Sequence, residues 1–320
     1  MSRISRRDFL AHTGSCAAHL ALAAAALPAP LRAAWAQRPL GAVVAREPFG
    51  TLERVADGVW ALVSTPLGGD RTTLCNGGIV VGRERVLAVE GFFQPAGAAW
   101  LAARAKELTG RWPTHVALTH FHADHTSGVA GYFGEARPQV SATERTHTLV
   151  HERNLPADAA RTAALADAVL LSATEASTFD LGGRVVRFVP RDGHTPSDAS
   201  LELEEPSVVF AGDLVWNAMF PNYVDATPSR LARSVAALRR ARDTVYVPGH
   251  GPLGRLADLD RYMSMLGEVE RAARAAHAAG KTAAEGAAAF TLPAALGDWV
   301  LLNPVFYERA FAAWYRELAG

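Results

Sequence analysis

The hexapeptide His120-Phe121-His122-Ala123-Asp124-His125 packs three imidazoles and a carboxylate into six residues, directly after an apolar run. Imidazole nitrogen and carboxylate oxygen are the donors a borderline-soft divalent ion such as zinc prefers, and their crowding makes little sense in a core that must stay dry. His115-Val116-Ala117-Leu118-Thr119 reads as a short buried strand and Thr126-Ser127-Gly128 as the start of a helix, so the hexapeptide is expected on a strand-to-helix loop. In extended backbone His120 and His122, two apart, project the same way, while Asp124 and His125 fall past the bend and face a second position. One loop thus carries donors for two adjacent metals.

Three further pieces follow: Gly193-His194-Thr195-Pro196, Ala211-Gly212-Asp213 and Pro248-Gly249-His250-Gly251-Pro252. Each comes after a β-branched or aromatic run (Val185 to Val189, Val208 to Ala211, Val245 to Val247) that Gly or Pro stops. Loops at strand ends are where rigid scaffolds carry chemistry.

With these pieces in order, the chain resembles the metallo-β-lactamase superfamily over roughly residues 51 to 255: His-x-His-x-Asp-His, a distant His, a Gly-Asp and a final Gly-His. The resemblance implies that His120, His122 and His194 hold one zinc, that Asp124, His125 and His250 hold a second, and that Asp213 bridges them. It also implies an αββα sandwich; periodicity alone shows an α/β chain. Asp213 stands where the best-known lactamases usually carry Cys or Ser, and so resembles the glyoxalase II and lactonase branches. The diiron flavoprotein branch usually has Glu at the position of His122 and a flavodoxin domain, for which the chain has no room. A mononuclear-iron persulfide dioxygenase branch shares several of the ligands, and iron is compatible with them. The expected activity is hydrolysis of a small carbonyl-type substrate (lactone, thioester or lactam) by a metal-bridging hydroxide, with Asp124 as ligand and proton shuttle. The alternatives are that dioxygenase, or a noncatalytic binder of metal or sulfur compounds in a periplasmic oxidation pathway.

The N-terminus makes a separate expectation. Ser5-Arg6-Arg7-Asp8-Phe9-Leu10, an Ala-rich stretch from Cys16 to Leu27 and the small residues Ala34 and Ala36 around Trp35 resemble a twin-arginine export signal. The apolar run is shorter than the roughly 20 residues a bilayer requires and is closed by Pro28 and Pro30, so it is no stable membrane span. Residues 1–36 are therefore read as a signal, 37–255 as the metallo-β-lactamase-fold domain and 256–320 as a helical extension, in a periplasmic or secreted protein that engages the twin-arginine machinery. Cys16 leaves with the signal and Cys75 has no partner left, which excludes an intrachain disulfide and makes Cys75 a packed thiol.

Basic and acidic side chains balance at 32 each, which excludes the basic stripe a nucleic-acid binder needs and leaves a small molecule as substrate. Strands are expected near 59–64, 77–81, 86–90, 176–179, 185–189, 199–203 and 207–211. Helices are expected near 97–109 and over Pro228 to Ala241, Leu256 to Ala279, Ala283 to Phe290 and Val305 to Leu318. The last helix carries the apolar stripe Phe306, Phe311, Trp314 and Leu318, read as packing on the sandwich, with a lid or dimer surface as the alternative.

The bulky segment Leu214, Trp216, Met219, Phe220, Pro221 and Tyr223 reads equally as core or as cleft lining. In the second case the Tyr223 hydroxyl or the Asn217 amide is a candidate oxyanion donor. The Pro66 to Thr73 loop is read as a hairpin turn or a flap, Glu90 as a support for the ligand loop, and His147 and His151 as solvent-facing.

Overall fold

The computed structural model describes residues 39–154 and 158–319. Thirteen strands among them form two sheets. The first runs in chain order through β1 (Ala42–Glu47), β2 (Gly50–Ala56), β3 (Val59–Ser64), β4 (Gly77–Val81), β5 (Val86–Val89), β6 (His115–Ala117), β7 (Gln139–Thr143) and β8 (Val169–Leu171). Pairing is antiparallel to β5 and parallel beyond it. The second sheet has the order β13 (Val245–His250), β12 (Val208–Trp216), β11 (Ala199–Leu203), β10 (Val185–Pro190), β9 (Ser177–Asp180), with only β12 and β13 parallel.

The period of two along a strand sorts the apolar residues into layers. Val59, Ala61, Val63, Leu87 and Val89 of the first sheet meet Phe188, Leu201, Val208, Phe210, Val245 and Val247 of the second. Their alternates Trp60, Leu62, Val86 and Ala88 face outward to helix α1 (Pro95–Thr109), which presents Ala98, Leu101, Ala102 and Ala105 on one stripe. The outer face of the second sheet, Val209, Ala211 and Tyr246, is covered by the later helices. The result is four layers, helix–sheet–sheet–helix.

Two short helices, α2 (Ala123–Thr126) and α3 (Glu144–Leu149), a π-helical turn Val150–Asn154 and α4 (Ala159–Leu165) follow β6 and β7. α5 (Pro228–Ala237), α6 (Leu256–Ala278), α7 (Ala283–Ala288) and α8 (Val305–Leu318) complete the outer layer. The expected strands and long helices lie close to these bounds, the largest departures being α5, which stops four residues short of Ala241, and β12, which runs five residues past Ala211.

β1, β2, β7 and β8 lie where no strand is expected, and one expected element takes another form. The helix expected from Thr126 is instead the single turn α2, which starts at Ala123 and ends at Thr126, so Asp124 and His125 lie inside it. The Pro66 to Thr73 segment is a turn of 3-10 helix, Pro66–Gly68, whose Leu67 is buried in the helix-side core. The signal read in residues 1–36 lies outside the described residues. Among those described, no helix is long and apolar enough to cross a membrane.

Candidate metal centre

His120, His122, Asp124 and His125 follow β6, and their loop is pinned by Glu90 just past β5. The Thr119 hydroxyl donates to Glu90 Oε1 at 2.6 Å, the Gly91 N–H donates to the His125 carbonyl, and His125 Nδ1 stands 3.1 Å from Glu90 Oε1. Glu90 holds a left-handed backbone, φ 78°, a strain of about 1–3 kcal/mol that a non-glycine residue keeps only where its surroundings impose it.

His194 follows β10 on a turn cradled by the buried Asp198 carboxylate, which accepts the His194 N–H at 2.8 Å and the Thr195 N–H and hydroxyl. Burial pushes Asp198 up to about 6 against the pull of His194 and Thr195.

Asp213 is placed by a bulge. Gly212 pairs with Pro248 and Trp216 with His250, so four residues of β12 span two of β13, and Asp213 is thrown out of the ladder toward the loops. The Gly249 backbone presses directly on it: a Cβ there would lie 1.9 Å from Asp213 Oδ1. His250 ends β13, and Asn76 fixes that end by donating to the Pro248 and Gly251 carbonyls while accepting the Ser64 N–H.

The seven side chains meet in two clusters. His120 Nε2 and His194 Nε2 each stand 3.1 Å from His122 Nδ1, and 3.8 and 3.2 Å from Asp213 Oδ2. His125 Nε2 and His250 Nε2 stand 3.0 and 3.3 Å from Asp213 Oδ1, and 3.7 and 3.2 Å from Asp124 Oδ2. The two oxygens of Asp213 thus address different clusters.

Despite these distances His125 Nε2, His250 Nε2 and Asp213 Oδ1 lack hydrogen-bond alignment and are buried without a partner, an arrangement that costs free energy unless a cation takes the lone pairs. Electrostatics agrees. Burial alone lowers an imidazole, yet Asp213 and Asp124 hold His250 at about 9, and Cys75, Asp213, Glu90 and Asp124 hold His125 well above the ordinary histidine range. Burial raises a carboxyl, yet His125 and His250 bring Asp124 down to about 2, and His250, His125 and His194 bring Asp213 well below the ordinary range. Burial and the neighbouring imidazoles push His120 the other way, well below the ordinary histidine range. His120, His122, His194 and Asp213 form one group that could hold a metal ion and Asp124, His125 and His250 another, with the nitrogen and oxygen donors that suit a divalent metal.

Supports that the sequence did not announce surround this centre. His122 turns Nε2 to Asp225 Oδ2 at 3.1 Å, and Arg153 Nη1, on the π-helical turn, donates to Asp225 Oδ1 at 2.6 Å. This carboxylate orients the ring so that Nδ1 faces the cluster. Asp198 lies four residues past His194, a proximity that offered a signal; Asp225 lies 103 residues from His122 and offered none.

The bulky segment after Asp213 divides between the two readings. Leu214, Met219, Phe220 and Tyr223 are core, and burial pushes the Tyr223 phenol above its ordinary range. Asn217 donates to the Pro252 and Leu253 carbonyls, a structural use of its amide. Trp216 and Asn222 instead line a narrow cleft of ≈ 10 Å³ over the centre together with His122, Asp124, His194, Asp213 and Phe306 of α8.

Cys75 is a buried thiol that donates to the Asp124 carbonyl, and burial raises it to about 12. His147 and His151 meet each other at 3.2 Å, away from these clusters. His115 bonds Thr114, and His277 packs on Tyr315.

A two-sheet α/β sandwich that gathers histidines and aspartates at its strand ends defines a metal-binding protein fold. The model of the metallo-beta-lactamase superfamily matches residues 75–250, more than half of the chain, and the chain belongs to that superfamily. A hydroxyacylglutathione hydrolase of Ruegeria pomeroyi is 29% identical over 134 residues, 42% of this chain and 46% of that protein. The chain thus spans about half the length of this curated relative. A metallo-beta-lactamase from Erythrobacter litoralis, solved with beta-mercaptoethanol in its active site, superposes with a TM-score of 0.57 at 22% identity, covering 70% of this chain and 99% of that one. The inverting sec-alkylsulfatase Pisa1 of Pseudomonas sp. superposes with a TM-score of 0.65 at 17% identity, covering 84% of this chain and 50% of that one.

Proposed function

We propose that the protein is an exported, dinuclear zinc hydrolase of a small carbonyl-type substrate: a lactone, thioester or lactam. In this reading residues 1–36 are a twin-arginine signal, 37–255 the catalytic domain and 256–320 a helical extension. The observation that carries it is Asp213, whose Oδ2 addresses His120 and His194 while Oδ1 addresses His125 and His250. His120, His122 and His194 would hold one ion, Asp124, His125 and His250 the other, and Asp213 both. When bound, such ions lower the pKa of water toward about 7 and withdraw charge from a carbonyl oxygen.

The chain's own residues supply the rest. Asp124 Oδ2, ionised across the physiological range, takes the proton of the attacking water and passes it to the leaving group. Asp225 and Arg153 hold His122 in its tautomer, and Glu90 and Asp198 hold the loops. Trp216 and Phe306 keep bulk water from the cleft. No lysine or arginine is among the described lining residues, which favours a neutral substrate over a polyphosphate. The relative named a hydroxyacylglutathione hydrolase supports acyl transfer to water.

The test is acid release at constant pH by the zinc-loaded protein over lactams, lactones, thioesters, sulfate esters and phosphodiesters, with metal counted per chain. Two ions and turnover of one acyl class, lost about 100-fold or more in Asp124→Ala with an unchanged fold, is the expected result. A single iron with oxygen uptake in place of acid release refutes it, as does full activity in Asp124→Ala.

A further inference from the structure

Phe306 reaches the cleft from α8, which lies beyond the superfamily match at residues 75–250. Its position is fixed at several points. Val300 pairs with Met219, exchanging bonds with the Ala218 carbonyl and the Phe220 N–H, which seats the approach to α8 on the segment that follows Asp213. Asn303 caps the start of α8 through its carbonyl, which accepts the Phe306 N–H, and its side chain, which accepts the Val305 N–H. Arg309 Nη1 donates to Asn222 Oδ1 at 3.1 Å, and Glu317 accepts the Ser229 N–H at the start of α5. The Phe306 ring lies edge-on to Trp216 at 6.3 Å, and Trp216 in turn lies 4.1 Å from the His250 ring.

The space these rings leave over the centre is ≈ 10 Å³, room for about one water and far below the roughly 300–1,000 Å³ of most small-molecule sites. Two of its seven lining side chains are apolar, and both are large, buried aromatics. A wall so closely packed resists displacement, and the more so the larger the group that must push it aside. We propose that Phe306 is the specificity-determining residue of this site: it limits the substrate's non-reacting part to a short, uncharged, apolar group, and the C-terminal helix exists in this chain partly to place it. The inference rests on the hydrolase reading for its chemistry, while its steric content stands on the cleft alone.

Two measurements test it. The first is kcat/KM of the zinc-loaded protein on an acyl series graded in length, read as the ratio of the longest to the shortest member. Phe306→Ala raises that ratio about tenfold or more and Phe306→Trp lowers it, because a methylene that fits or clashes is worth about 10- to 200-fold. Removal of a buried phenyl leaves a cavity that destabilises the fold, so Phe306→Leu, which keeps most of the packing, serves as the second opening variant.

The other measurement is calorimetric binding of n-alkanoates from acetate to octanoate to the same proteins. In the unmodified protein affinity falls beyond a short length, and in Phe306→Ala or Phe306→Leu the fall moves to longer chains. A length ratio and a binding cut-off that stay within twofold in every variant overturn the inference. A shifted cut-off with no hydrolysis of any acyl substrate leaves the steric role in place and refutes the proposed reaction instead.

Discussion

Gly249→Ala is the sharpest test of how the centre is built, because it changes no candidate ligand. The added Cβ would lie 1.9 Å from Asp213 Oδ1, 2.8 Å from the Gly212 carbonyl carbon and 2.9 Å from the Asp213 nitrogen. Ordinary contact begins at 3.4 Å, so the carboxylate must recede by about 1.5 Å, and the two backbone atoms in its way prevent the side chain from doing this alone. Oxygen–zinc bonds are about 2.0–2.2 Å and tolerate roughly 0.2 Å of error, so the displacement is several times what ligation accepts. Metal affinity should fall at least 10- to 100-fold, the range seen when a support of a metal ligand is lost. Turnover should fall about 100-fold, as expected for an ångström-scale misplacement.

The assay is metal content by mass spectrometry after dialysis against a graded chelator, with thermal melts of the metal-free proteins alongside. Gly267→Ala is the control. Gly267 is exposed within α6, and nothing lies within 4 Å of a Cβ built on it. That substitution should stabilise the protein by about 0.5–1 kcal/mol through helix propensity and leave metal content alone. Two ions retained at the original affinity in Gly249→Ala would refute the argument that this backbone contact positions Asp213.

Asp225→Asn should lower metal affinity about 10- to 100-fold while leaving the metal-free melt nearly unchanged, because the lost charge orients His122 and is partly exposed; an unchanged affinity refutes the orienting role. Glu202, buried in β11, accepts from Arg191 at 2.6 Å and Ser200 at 2.7 Å and also pairs with Arg240. Burial raises this carboxyl, and its partners more than reverse that, so its folded value lies below the ordinary 4.5. Its stabilisation is therefore full above about pH 4.5 and disappears as the pH falls through the depressed value. Glu202→Gln should be roughly 2 kcal/mol less stable at pH 7, and the gap should narrow below pH 4.5 in urea melts; a gap independent of pH refutes the assignment.

The parts of this molecule that were legible in its sequence are those written in short, local patterns. The seven residues from His120 to His250 that meet in the two clusters stand at the ends of runs whose β-branched character marks them as strands. β1 and β2 were missed because Ala42–Glu47 and Gly50–Ala56 mix charge with small apolar residues and one face is exposed. β7 and β8 were missed because Gln139–Thr143 carries one large apolar residue and Val169–Leu171 is too short for a period to show. α2 is a single turn, below the length at which helical spacing is visible. Asp225, Arg153 and Phe306 act at the centre only through tertiary contact. Each comes from an element whose local pattern says nothing about the others, and in the case of Phe306 the stripe on α8 announced packing without revealing that one of its members faces the cleft.

Asn76 has a consequence for the whole molecule. Its side chain takes the Ser64 N–H from one sheet and gives its own hydrogens to the carbonyls flanking His250 in the other, while its main chain donates to Gly249. His120, His122, Asp124 and His125 follow β6 of the first sheet, whereas His194 follows β10, Asp213 lies in β12 and His250 ends β13 of the second. The metal centre therefore sits astride the seam between the two halves, and ions held there would act as a clasp, with Asn76 as the hinge pin beside it. Each ion bound at a thousand times its dissociation constant adds about 4 kcal/mol against any motion that parts the halves. With ions held there, metal supply would set how long the folded chain survives, separately from whether it turns over substrate.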